Sequence, residues 1–87
     1  MLPSEKKIQE IVNEAFPNQP EKVEEMMDGP NVEKFKNEIL RQMGIMSDSV
    51  YNCPDREKVR EAAANVKRMA RCAEKLAYVQ MEGIGEV

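Results

Sequence analysis

Apolar residues recur every three or four positions along most of this chain, and that spacing predicts helices. Ile8, Ile11, Val12, Ala15 and Phe16 form one such stripe, within a helix expected over residues 4–16. Ser4 suits its N-cap and Pro17 its end. A second, short helix is expected over 20–28, with Pro20 in its first turn and Val23, Met26 and Met27 as its apolar side. Gly29-Pro30 stops it. Asn31 is positioned to cap a third helix over 31–43, whose buried side reads as Val32, Phe35, Ile39, Leu40 and Met43. Gly44 then reads as the left-handed residue that ends it, with Ile45 folding back on the last turn. Met46 to Tyr51 follows as a loop lying on the core.

The longest periodic stretch is the last, expected as a helix over 52–82. Val59, Ala62, Val66, Met69, Ala73 and Leu76 make its seam, widened by Ala63, Ala70 and Ala77. Asn52 reads as its N-cap, with Pro54 in the first turn and Asp55 returning a bond to the cap. Gly83 reads as its stop, leaving 83–87 as a frayed tail. No segment alternates as a strand does, and threonine is absent. The pattern predicts an all-α fold: one small domain over residues 1–87, of about four helices in a bundle-like or orthogonal array, with a long C-terminal helix.

Composition narrows the function classes. The chain has no histidine, which removes the commonest general base and metal ligand. Its glycines, 29, 44, 83 and 85, form no phosphate-cradling loop, and two distant cysteines make no zinc site. The expectation is therefore a non-enzymatic chain without cofactor or metal. Cys53 and Cys72 lie nineteen positions apart, roughly 28 Å if one helix joins them, which excludes a bridge between them. Two free thiols point to a reducing, cytoplasmic setting. No apolar run approaches the roughly 20 residues that span a bilayer, and the N-terminus does not read as a signal peptide.

Charge is uneven. Residues 1–33 hold three bases against eight acids, whereas 34–87 hold ten against eight, within a net charge of −3. Arg56, Lys58, Arg60, Lys67, Arg68, Arg71 and Lys75 all fall on the long helix. Asp55, Glu57, Glu61 and Glu74 offset them in part, so the row reads first as a mixed, solvated face. Read as a nucleic-acid footprint, it nominates Arg56, Arg60, Lys67, Arg68, Arg71 and Lys75. The acidic front of the chain either repels nucleic acid or folds back on this helix.

Seven methionines suit core filling or adaptable contact surfaces. Met26, Met27, Met46 and Tyr51 are the candidates for contact with a partner protein, Met26-Met27 first among them. The reading with most support is a helical protein-interaction module. DNA binding is the alternative, and carriage of a small apolar ligand a further one.

Phe35-Lys36-Asn37-Glu38-Ile39, Gly44-Ile45, Tyr51-Asn52 and Val66-Lys67-Arg68-Met69 give the chain a partial resemblance, over about residues 35–75, to the α/β-type small acid-soluble spore proteins. The resemblance implies two helices laid on DNA, with Lys67 and Arg68 in the DNA-facing one. That family's Ser-Arg and Gly-Gly stretch has no glycine here, where Arg56 to Ala64 stands. Gly44-Ile45-Met46 after an amphipathic helix resembles insect odorant-binding proteins, and this likeness implies the ligand carrier; their disulfide framework is beyond two cysteines.

Overall fold

The computed structural model describes residues 3–29 and 31–85, and the side chains of 5–29 and 32–82. These residues form four helices and no strand: α1 Pro3–Ala15, α2 Pro20–Met26, α3 Asn31–Tyr51 and α4 Arg56–Gly85. The long α4 is the spine of a molecule measuring 50 × 23 × 17 Å. α3 runs antiparallel along its N-terminal half, where Asn65 Nδ2 donates to Gln42 Oε1 at 3.1 Å. α1 lies along the C-terminal half, where Lys75 Nζ reaches Glu14 at 3.1 Å and Arg68 Nε donates to the Ala15 carbonyl at 3.0 Å. The acidic front of the chain thus does fold back, onto the C-terminal half of the basic helix.

α1 and α3 meet end to end, with the Phe16 and Phe35 rings 5.9 Å apart. The core sits at this joint. It comprises Ile11, Val12, Ala15 and Phe16 from α1, Met26 from α2, Phe35 from α3, and Met69, Cys72 and Leu76 from α4. α1 keeps the stripe its sequence predicts and ends at Ala15, one residue short of expectation, just ahead of Pro17, which has no N–H to continue it. Ser4 lies within α1 rather than before it, and its side chain, like that of Asn31, falls outside the described residues. α2 starts at Pro20 and ends two residues early; Gly29, at φ 94°, makes the break a side chain would oppose. Lys34 Nζ reaches back from α3 to the Glu25 carbonyl at 2.6 Å and to the Asp28 carbonyl, satisfying the end of α2.

The third and fourth helices differ from expectation at their junction. Gly44 does not end α3, which continues to Tyr51 through the residues expected as a loop. Tertiary packing overrides the weak helix propensity of glycine, because Phe35, Gln42 and Ser49, seven apart, keep facing α4. Ile45 lies half-buried inside the helix rather than folding back on its end. The break comes instead at Pro54, which biases Cys53 away from helical angles. Asn52 belongs to the end of α3, where its side chain donates to Asp48 Oδ1 at 2.7 Å. Asp55 is the cap of α4: its Oδ1 accepts from the backbone N–H of Glu57 at 3.0 Å and Lys58 at 3.2 Å. At the other end α4 passes through Gly83 to Gly85, so of the expected tail only residues 86 and 87 remain, outside the described residues.

Candidate interaction surface

Two rows of side chains share α3. One faces α4 and contains Phe35, Gln42 and Ser49, all buried. The other, Val32, Ile39, Met43, Met46 and Val50, follows heptad spacing along the adjoining face. Ile39 and Met46 are half-buried, but Val32, Met43 and Val50 are 38%, 52% and 49% exposed. Leu40 and Tyr51 extend the row outward at 59% and 81%. The expected buried side of α3 is therefore corrected: Phe35 is core and Ile39 packs against it, while Val32, Leu40 and Met43 open to solvent. Nor do Val50 and Tyr51 lie on the core, as a loop there was expected to.

α4 carries a matching second row. Val59, Ala63, Val66, Ala70, Ala73 and Ala77 are spaced four and three apart, half-buried except for exposed Ala70. The buried seam, Ala62, Met69, Cys72 and Leu76, is displaced to one side of it. The antiparallel register fixed by Asn65 on Gln42, and by the Asp55 N–H on the Ser49 carbonyl at 2.9 Å, brings the two outer rows level. Val50 and Val59 then line one hollow, from which Met46, Met43 and Ile39 continue along α3 and Ala63, Val66 and Ala70 along α4. At the hairpin end this is a hollow of about 400 Å³ lined by Ser49, Val50, Pro54, Asp55, Arg56 and Val59. The two helices thus frame an apolar groove about three turns long.

The partner-contact candidates divide. Met26 is 5% exposed and Met27 is half-buried against the core, so this pair is packing rather than the open patch expected of it. A two-turn helix whose apolar side must close the Phe16–Phe35 joint has none left over for a partner. Met46 and Tyr51 fall on the groove and its outer edge. The six nominated bases divide as well. Arg68 is held by the Ala15 carbonyl and by Asn65 Oδ1 at 2.8 Å, and Lys75 is paired with Glu14. Arg56, Arg60, Lys67 and Arg71 lie exposed in one outward row beside the groove.

Across the hairpin from this groove runs a polar chain that touches all four helices. Lys22 of α2 lies 3.7 Å from Glu38 of α3, which accepts from Arg41 Nε at 3.0 Å and from Gln42 Nε2 at 3.5 Å. Gln42 accepts from Asn65, Asn65 from Arg68, and Arg68 holds the end of α1. The hydrogen bond from Arg41 holds the Glu38 carboxyl below its usual 4.5, against the opposing effect of burial. The Cys72 thiol, fully buried, is pushed up by desolvation and so is a packed hydrophobe rather than a nucleophile. Cys53 is exposed, and both cysteines are free. Among the described residues no three Asp, Glu, Cys or His side chains cluster as metal ligands, and no helix is long and apolar enough to cross a membrane.

The row Val32, Leu40, Met43, Val50 was readable as apolar but not as outward. A reading by hydrophobicity alone assigns it to the core, because the true α4-facing row contains Gln42 and Ser49. No protein family, curated protein or solved structure matches the chain.

Proposed function

We propose that this chain is a non-catalytic helical interaction module, acting in a reducing compartment such as the cytoplasm, that binds a partner protein through the groove between α3 and α4. The carrying observation is the outward apolar row Leu40, Met43, Val50 and Tyr51 on α3. The distal half of the hairpin supports the reading. Away from the joint core, the buried residues there are only Gln42, Ser49 and Ala62. Two helices by themselves leave an apolar face that ordinarily packs against a further layer. Methionines at positions 43 and 46 give that face the adaptability useful in a contact surface.

The test is capture of interacting proteins by the wild-type chain and by Met43→Lys, matched for thermal stability. At an exposed position this change shifts stability by no more than about 0.5 kcal/mol. Loss of the specifically captured protein in the variant supports the reading, and unchanged capture refutes it.

The row Arg56, Arg60, Lys67 and Arg71 favours a second reading, DNA binding of the kind the spore-protein resemblance implies. Four phosphate contacts give a slope of log affinity against log salt of about −3.6. A flat salt response of binding to duplex DNA rules it out.

A further inference from the structure

Resting on the interaction reading, we propose that the α3–α4 groove receives an amphipathic helix of a partner protein whose apolar stripe is flanked by acidic residues. The floor sets the apolar requirement. The outer rows Ile39, Met43, Met46 and Val50 of α3 and Val59, Ala63, Val66 and Ala70 of α4 contain no charge, the composition that accepts a helix's apolar positions i, i+3, i+4 and i+7. The α4 side of the groove alternates valine with alanine, and Ala63 and Ala70 let a helix backbone approach closely. The hollow beside Pro54 gives an end pocket for one larger apolar anchor.

The flank sets the charge. Along the α4 rim stand Arg56, Arg60, Lys67 and Arg71, with Glu74 as the acid in that row. Arg60 pairs at 3.5 Å with Glu57 of its own helix, and both side chains are well exposed, which makes the pair weak and replaceable. Arg56, Lys67 and Arg71 form no ion pair among the described residues. A chain of net charge −3 thus keeps three bases without an ion pair along one rim of its open apolar groove.

A second copy docked groove to groove does not answer that charge. A two-fold arrangement brings the basic row against either its own equivalent or the outer edge of α3. There the acid is Glu33, already paired with Lys36 at 2.5 Å. Nucleic acid would use the row but leave the apolar floor uncovered.

The experiment uses two fluorescein-labelled helical peptides of about 16 residues, with identical leucine stripes and either glutamate or lysine flanks. Binding to the full chain is followed by fluorescence anisotropy at low and high salt. The glutamate peptide is expected to bind about tenfold more tightly at low salt, the gap narrowing as salt screens the flank. Lys67→Glu with Arg71→Glu removes or reverses the preference, and Val50→Glu weakens both peptides. Circular dichroism melts of each variant confirm folding.

Equal binding of the two peptides, abolished by Val50→Glu, overturns the acidic partner but leaves the interaction reading standing. No peptide binding, with a dimer in sedimentation velocity that Met43→Lys dissolves, overturns it in favour of a second copy. Tighter binding of a duplex oligonucleotide, unaffected by Val50→Glu, overturns it in favour of nucleic acid. Absence of all three overturns the proposal, while the capture experiment with Met43→Lys separately decides the interaction reading.

Discussion

Gly44 sits in mid-helix, exposed, with nothing within 4 Å of where a Cβ would stand and no left-handed backbone to preserve. Its cost is purely the conformational freedom it loses on folding. Gly44→Ala should therefore stabilise the chain by about 0.5–1 kcal/mol, seen as a rise of several degrees in melting temperature. A destabilised variant would mean that α3 does break there, as the sequence alone suggests. Asp55 carries the opposite expectation. It accepts two of the N–H groups that open α4. Asp55→Ala should cost about 1 kcal/mol in chemical denaturation, whereas Asn52→Ala, removed from the cap, should cost less. Both outcomes turn on which residue follows Pro54. A capping side chain is legible in sequence, but Asn52 and Asp55 are equally good candidates until the turn is placed.

At the scale of the element, α3 shows how far a hydrophobic pattern reads. Its helical character was legible, and so was the burial of Phe35. The side that packs was not, because Gln42 and Ser49 lie at the α4 interface while Leu40 and Met43 face out. Gln42 is tolerated at 6% exposure because it accepts from Asn65 and donates to Glu38, so its burial leaves no polar atom unpaired. Such a pairing joins positions 42 and 65, and nothing local in either segment announces it. The two rows make a sharp contrast in denaturation. Phe35→Ala should cost about 3–5 kcal/mol, because it empties the joint between α1 and α3. Leu40→Ala should cost no more than about 0.5 kcal/mol in the isolated chain. A large loss at Leu40 would mean that the outer row is already covered.

For the whole molecule, the joint of four helices sets the apolar core beside the middle of α4 and leaves the far end of the hairpin to project. The Glu38 hub ties α2 and α3 at this joint. A carboxyl whose folded pKa lies below its unfolded value stabilises the fold above the unfolded value and surrenders that stability as pH falls. The cause here is the Arg41 hydrogen bond, so the contribution is complete at neutral pH and disappears progressively below about 4.5. Glu38→Gln should flatten the acid limb of stability against pH between about 5 and 3, measured by thermal melts. A limb as steep as the wild type's would assign acid sensitivity to other groups. The sequence by itself determined the helical class, the number of helices, the stripe of α1, the glycine break after α2 and the two unbridged cysteines. These follow from local spacing, backbone restrictions and chain geometry. Only the tertiary structure decided that α3 runs through its glycine, that Asp55 rather than Asn52 opens α4, and that Met26 is core. It also decided which apolar row of each long helix stays open. A helix with two apolar rows can bury either, and the choice depends on the register and partner contacts of residues far apart in the chain.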